Sequence, residues 1–190
     1  MAEETTKLKE LILYIAARME QDRHVGRGRI KLAKLIFQID FAAFAQWGAS
    51  VTGVPYHADE LGPVPTGEMM ATRDLEAAGR LGWETVWDKE RMPVAAGRPA
   101  DLEVFAPHER ELTDSTLDEF RQVGAKRMVD QAHRFPGWLL AWRDGEGEND
   151  PIPLESIFWD PSRLPGSHAE DWENAHARLL ADRYADRLAP

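Results

Sequence analysis

The sequence predicts a helix-dominated α+β domain in which about five to six helices surround a central buried helix, with a small antiparallel β ribbon. Apolar residues within 8–19 recur at intervals of three and four, which places them on one face of a helix. The segment that begins near Arg29 carries apolar residues on two faces, which indicates a helix covered from several sides. Residues 81–87 and 102–105 have the length of strands and mix apolar with polar residues, and we expect them to form the two strands of the ribbon.

The first two predicted helices have recognisable ends. Thr5 or Thr6 can cap the first helix with a side-chain oxygen, and we expect this helix to end within residues 24–28. Gly48 suits the left-handed position that closes the second helix. The second helix carries two apolar stripes, the first formed by Leu32, Leu35, Ile36, Ile39 and Ala43 and the second by Phe37, Phe41 and Phe44.

The middle of the chain alternates turns with short extended pieces. Residues 51–55 have turn composition, 56–61 suit a strand or an extended arm, and the prolines of 62–65 favour an extended passage. A third helix is expected from Pro65 or Thr66 to Ala78, where Gly79 stops it. Residues 88–101, which join the two predicted ribbon strands, are expected to form a long exposed loop.

The remaining third of the chain is predicted to be helical with two interruptions. A fourth helix is expected from Thr113 or Ser115 to about Gln131, followed by a short helical turn after Pro136-Gly137. Residues 145–151 suit a flexible acidic loop, and a last helix is expected at 167–187. We therefore predict one domain over residues 1–165, with a C-terminal helix in 166–190 packed on it.

Composition narrows the classes of function. The 190 residues contain 23 Lys plus Arg and 33 Asp plus Glu, so the formal net charge of −10 disfavours nucleic acid as a partner. The longest apolar run, residues 11–17, is far shorter than the ~20 residues that span a bilayer. The absence of cysteine excludes disulfides, thiolate metal sites and cysteine nucleophiles. We expect a soluble cytoplasmic protein with no membrane partner.

The charges are unevenly distributed along the chain. Residues 23–34 contain five basic side chains and no acid, whereas residues 144–173 contain nine acids and one base. The acidic stretch is typical of a solvated face, and it is also typical of a surface that attracts a basic partner.

No catalytic or metal-binding pattern is present. The six histidines lack the spacing of a zinc site, and His168 and His176 are too far apart on a helix to share an ion directly. Phosphate-binding glycine loops and nucleophile elbows are also missing. We therefore predict no catalytic residue, no metal and no cofactor.

Asp40 is the polar residue that most needs an explanation, because it lies on the helix predicted to be buried. Burying a carboxylate is costly unless it is partnered, so we interpret Asp40 as structural, bound to backbone donors or to an arginine. The alternative places it in a cleft with Tyr56 or His57. We interpret His133 and Trp138 as structural as well, with Trp138 in the core.

Several motifs, taken in order, resemble the Panacea domain, an antitoxin-associated family that includes the SocA and GepA proteins. They comprise Lys34-Leu35-Ile36-Phe37, Asp40-Phe41, Gly48, Thr52-Gly53, Tyr56, Gly62-Pro63-Val64-Pro65, His133-Arg134-Phe135-Pro136-Gly137-Trp138 and Pro151-Ile152-Pro153. The resemblance covers about residues 8–155. Glu60-Leu61 stands where the family commonly has an aromatic residue, and the segment 87–102 is a long insertion.

The resemblance implies a non-catalytic protein that neutralises a toxin encoded beside it by direct binding, and in some relatives by handing the toxin to a protease. On this basis we expect a partner surface formed by the extended arm, the Gly-Pro-Val-Pro corner and the acidic loop. Its predicted residues are Tyr56, His57, Gly62, Pro63, Val64, Pro65, Asp144, Glu146, Glu148 and Asp150.

Two other classes stay open at this stage. A winged-helix DNA-binding or regulatory module would use the ribbon together with the basic residues of 23–34. A hydrolase would require Asp40, His57 and His133 to meet in one cleft.

Overall fold

A computed structural model describes residues 2–86 and 90–160. The α-helices are α1 (Ala2–Gln21), α2 (Arg29–Trp47), α3 (Glu68–Ala77), α4 (Pro107–Glu119), α5 (Ala125–Ala132) and α6 (Pro136–Trp142), and the strands are β1 (Tyr56–Asp59), β2 (Gly62–Pro65), β3 (Leu81–Val86), β4 (Glu90–Ala95) and β5 (Pro151–Ile152). Short 3-10 helices occupy Leu102–Val104, Arg143–Gly145 and Leu154–Phe158. The predicted helix at 167–187 and the division at residue 166 lie outside the described residues.

Two separate antiparallel sheets accompany the helices. The first has the strand order β2-β1-β5, and its β1–β2 hairpin pairs Tyr56 with Pro65 and Asp59 with Gly62. The second is the two-stranded ribbon of β3 and β4. The helix-dominated α+β class is therefore confirmed.

Helix α2 is the central buried helix, because each of its two apolar stripes packs in a different cluster. The leucine and isoleucine stripe joins residues of α1, α3 and α4 in the larger cluster. Phe37 and Phe41 join Tyr56, Trp138 and Ile152 in a smaller, aromatic cluster. Phe44 is only partly buried and packs against Phe158. Burial on two sides fixes the rotation of α2 and positions both sheets relative to it.

Three predicted helix ends are tested by the backbone. Gly48 has φ 79° and its N–H donates to Phe44 O, as predicted for the end of α2. The capping role expected of Thr5 or Thr6 is wrong, because α1 begins earlier, at Ala2. The third helix begins at Glu68 because Pro65 belongs to β2.

The predicted second strand of the ribbon is wrong. The partner of β3 is Glu90–Ala95, which lies inside the expected loop, and Trp83 is paired with Pro93. A proline is tolerated there because each strand of a two-stranded ribbon has one side without a ladder partner. Leu102–Val104 forms a 3-10 helix instead, which the Asp101 carboxylate caps by accepting the Glu103 N–H.

The predicted fourth helix is two helices, α4 and α5, and Lys31 explains the break between them. Its side chain is fully buried, and Nζ donates to the carbonyl oxygens of Phe120 (2.9 Å), Val123 (2.7 Å) and Val25 (2.8 Å). The first two oxygens lie in the α4–α5 turn, and the third lies in the α1–α2 loop. Burial lowers the pKa of Lys31 to about 8.

No helix within residues 2–86 and 90–160 combines the length and the apolar composition that crossing a membrane requires.

We predict that Lys31→Met lowers the free energy of unfolding by about 2–4 kcal/mol, because it leaves buried carbonyl oxygens without a donor. Urea denaturation followed by circular dichroism measures the change. Lys126→Met, at an exposed position of α5, is the matched control and should change stability by less than about 0.5 kcal/mol. Equal effects of the two substitutions would contradict the role given to Lys31.

Candidate functional site

A buried polar cluster joins α2 to the start of β1. Asp40 Oδ1 accepts the Thr52 N–H at 2.9 Å, and Oδ2 accepts the hydroxyls of Thr52 and of Tyr56, the latter at 2.7 Å. All three side chains are about 1% exposed or less, and the Tyr56 ring lies edge-on to Phe41. The cluster therefore fixes both the Thr-Gly turn and strand β1 against the central helix.

Burial controls the ionisation of this cluster. It raises the pKa of Asp40 to about 6, against hydrogen bonds from Thr52 and Tyr56 that favour the carboxylate. Burial and the adjacent carboxylate also raise the pKa of Tyr56 well above its usual value. Tyr56 therefore stays protonated and serves as a donor.

The β1–β2 hairpin is held by three side-chain donors, Lys34, His133 and Trp138, which we call the hairpin clamp. Lys34 Nζ of α2 donates to Pro63 O at 2.8 Å, and Trp138 Nε1 of α6 donates to Asp59 O at 2.9 Å. His133 Nε2, immediately after α5, lies 2.9 Å from Glu60 O, so this nitrogen must carry the proton. The His133 ring also stacks on Trp138, with ring centroids 4.3 Å apart.

Gly62 is required where the hairpin approaches α5. Its φ is +102°, which disfavours other residues, and a Cβ at this position would lie 2.8 Å from the Ala132 Cβ. Burial lowers the pKa of the neighbouring Lys34 to about 8, with Asp59 opposing the shift.

The outer edge of β2 has no backbone donor. The backbone N–H groups of Gly62 and Val64 point toward β1 in the register. The N–H of Thr66 points the same way and donates to Pro55 O. The backbone nitrogens of Pro63 and Pro65 therefore point away from β1, and a proline nitrogen carries no hydrogen to donate.

The outer edge of β5 is blocked in the same way. Tyr56 and Ala58 face β5, and Ala58 exchanges hydrogen bonds with Asn149 and Asp150. Ile152 pairs with Tyr56, so the backbone nitrogens of the flanking Pro151 and Pro153 point away from β1.

An open groove of about 450 Å³ lies beside the hairpin. It is bounded by the start of α2, the β1–β2 hairpin, the start of α3 and the residues just before β5. Three of its apolar side chains are exposed, namely Ile30 (41%), Leu61 (38%) and Met69 (52%). The full lining is Arg29, Ile30, Ala33, Lys34, His57, Asp59, Leu61, Val64, Pro65, Gly67, Glu68, Met69, Glu148 and Asn149.

The cations of the groove are engaged within the protein. The Arg29 guanidinium lies 3.2 Å from the Glu68 carboxylate, and Lys34 belongs to the hairpin clamp. His57 Nδ1 lies 3.3 Å from Thr66 Oγ1, and burial lowers the pKa of His57, so the ring favours its neutral form. Glu148, by contrast, is exposed at the rim.

The structure separates the predicted partner residues into two groups. His57, Val64, Pro65 and Glu148 line the groove. The assignment of Tyr56 to a partner surface is wrong, because its side chain is 1% exposed and bound to Asp40. Gly62 and Pro63 are buried as well, so they shape the hairpin and are not accessible to a partner.

The acidic loop is exposed where the structure describes it. Asp144 and Glu146 are exposed, and Asp150 is half-buried and forms a salt bridge with Arg143. The acids of the predicted stretch beyond residue 160 lie outside the described residues.

The basic residues of 23–34 do not form one surface. Lys31 and Lys34 are buried and bound to carbonyl oxygens, and Arg29 is paired with Glu68. Only Arg23 and Arg27 are left for contacts, which is little support for a winged-helix DNA-binding module.

The structure does not bring together the three residues that a hydrolase would use. Asp40 is closed off from solvent and bound to Thr52 and Tyr56. His57 and His133 have separate partners, described above. In the part of the chain that the structure describes, no three His, Asp or Glu side chains lie close enough to hold a metal ion.

Sequence reasoning missed the groove residues that come from α2 and α3. Ile30 lies on neither buried stripe of α2, and Met69 stands beside a second methionine in the first turn of α3. Apolar residues that fall outside the buried pattern of a helix are the signal that could have identified them.

Comparison with known proteins gives a family. A family model described as "Antitoxin SocA-like, Panacea domain" matches residues 32–139, which is more than half of the chain. The match includes most of α2, both strands of the hairpin and all three residues of the hairpin clamp. No curated protein and no solved structure matches the chain.

We predict that the buried carboxylate makes stability fall as pH rises from about 4 to 7. The pKa of Asp40 is about 6 in the folded state and 3.8 ordinarily, so the folded state binds the proton more tightly than the unfolded state. The resulting contribution to the free energy of unfolding is complete below pH 4 and is lost as the pH rises through 6. Relative to Asp40→Asn, the wild type should lose up to about 3 kcal/mol of unfolding free energy over that range. Urea titrations at several pH values measure the difference.

Tyr56→Phe is the companion variant for this titration. It removes a donor that favours the carboxylate, so the loss of stability should move to higher pH. Parallel pH profiles for wild type and Asp40→Asn would show that Asp40 does not titrate in this range.

Proposed function

This chain belongs to the SocA-like antitoxin family that carries the Panacea domain, and from that premise we propose that it neutralises a cognate toxin by direct protein–protein binding. The toxin would be a protein encoded close to this chain. We propose the cytoplasm as the place of binding and blockade as its mode, with the bound toxin held inactive. Delivery of the toxin to a protease is the alternative mode.

The groove is the observation that supports a binding role. Its exposed apolar side chains, Ile30, Leu61 and Met69, lie together among charged residues, which is typical of a protein-binding site. Scattered apolar residues would carry no such meaning.

The hairpin clamp supports the same proposal through rigidity. Three hydrogen bonds fix the wall of the groove before any partner arrives. A preformed surface avoids part of the conformational entropy that association otherwise costs.

The placement of the polar residues favours binding over catalysis. Asp40 is inaccessible to a substrate, and the Nζ of Lys34 donates to a backbone carbonyl. Both groups have a structural use that accounts for their burial.

We predict that co-expression of this chain restores growth of cells that express the toxic product of a neighbouring gene. The two proteins should co-purify at a fixed stoichiometry, and mixing the purified proteins should abolish the activity of the toxin. Lys31→Met, which disturbs the fold, should reduce rescue, whereas Lys126→Met should not.

Two results would change this assignment. Growth arrest that persists despite expression of the folded chain, with no complex, would contradict the antitoxin role. A toxin that stays active in the purified complex but is degraded in cells only when this chain is present would replace blockade by delivery to a protease.

We also predict that the acidic loop accelerates association with the toxin. Neutralising it with Asp144→Asn, Glu146→Gln and Glu148→Gln should lower the association rate about three- to tenfold at low salt. Stopped-flow or surface-plasmon measurements over a salt series test this, and the difference should shrink at high ionic strength. An association rate that is independent of salt in the wild type would remove the steering role.

A further inference from the structure

We propose that the groove binds a basic amphipathic helix of the partner, and that it does not bind an added β-strand. This inference rests on the proposed function, since it names the kind of segment that the toxin would present. It follows from the backbone of the sheet, from the apolar residues of the groove and from its charges.

Strand addition is disfavoured by the edges of the described sheet. An added strand needs backbone donors and acceptors in alternation along the edge that it joins. The backbone nitrogens of Pro63 and Pro65 point away from the sheet on one edge and those of Pro151 and Pro153 on the other, and none of them carries a hydrogen. The Pro63 carbonyl is also occupied by Lys34. A helix can dock here without edge donors, because its backbone groups are already paired.

The apolar residues suit one face of such a helix. Ile30, Leu61 and Met69 come from three different elements and lie around one groove. Helical ligands place residues i, i+3 or i+4 and i+7 into grooves of this kind. The flexible thioether of Met69 can adjust to the side chain that it meets.

The charges indicate the polar face of the helix. The charge of Arg29 is offset by the Glu68 carboxylate 3.2 Å away, and the buried Lys34 Nζ donates to Pro63 O. Glu148 on the rim and the nearby Asp144 and Glu146 are exposed. Lysine or arginine beside the apolar stripe would face these carboxylates.

The test uses a phage-displayed library of helix-forming 18-residue peptides, with randomised surface positions, selected against the full chain. We expect the enriched peptides to have a net positive charge and an apolar stripe with helical spacing. Met69→Glu should weaken their binding about tenfold or more. The matched control is Met70→Glu, because Met70 is 61% exposed beside Met69 and does not line the groove.

A charge reversal tests the basic face. Glu148→Arg should weaken binding of the selected peptides at least threefold at low salt, and Glu119→Arg, an equal change of charge at the end of α4, should not. Thermal unfolding of all four variants establishes that each is folded.

Several outcomes would overturn the proposal. They are the enrichment of acidic or proline-containing extended peptides, no enrichment at all, and binding that Met69→Glu and Glu148→Arg leave unchanged. If the chain dimerises and Met69→Glu abolishes the dimer, the groove binds a second copy of the chain instead.

The result is distinguishable from a failure of the proposed function. A toxin that is neutralised equally well by the Met69→Glu and Met70→Glu variants would leave the antitoxin role intact and refute the helix-binding groove. Peptides that bind as expected, with no neutralised toxin, would leave the groove intact and refute the antitoxin role.

Discussion

The structure depends on the hydrogen bonds that the β1–β2 hairpin receives from its surroundings. Carbonyl oxygens of the hairpin lie close to the core at Asp59, Glu60 and Pro63, where an unsatisfied carbonyl would be costly. Each receives a donor from a different helical region, namely Trp138, His133 and Lys34. Since α5 and α6 also pack against α2, the hairpin cannot move without breaking contacts to all three helical regions. The groove inherits this rigidity, because the hairpin forms one of its walls.

The buried ionisable groups obey one rule. Lys31, Lys34 and Asp40 are each about 1% exposed or less, and each bonds to an atom at least 12 residues away in sequence. Desolvation opposes their charged forms, so they add little to stability, but removing any one of them leaves its buried hydrogen-bond partners unpaired. Each fixes the relative position of two parts of the fold. Lys31 joins the α1–α2 loop to the α4–α5 turn, Lys34 joins α2 to the hairpin, and Asp40 joins α2 to the Thr-Gly turn. Two of the three, Lys34 and Asp40, lie within residues 32–139, which the family model matches.

The parts of the structure that were predictable from sequence are those set by local periodicity. The two stripes of α2 fixed its central place, and Gly48 fixed its end. Long-range bonds were not predictable. No local signal shows that Tyr56 reaches Asp40, so the ring was assigned to the surface. The break between α4 and α5 depends on Lys31, about 90 residues away. Strand β4 was not predictable because it contains Pro93, and proline is normally evidence against a strand.

The arrangement separates the residues that hold the frame from those that would recognise a partner. Lys34, Asp40, His133 and Trp138 bind backbone or buried side chains, so substituting them disturbs the fold. Ile30, Leu61 and Met69 are exposed, and none of them binds buried backbone or side-chain groups in the way those four residues do. Substitutions at such positions change a surface at little cost in stability. Because prolines close the sheet edges, recognition depends on side chains and not on backbone pairing, which almost any strand could satisfy. A scaffold built in this way can acquire a different partner by changing the groove while the hairpin beneath it stays in place.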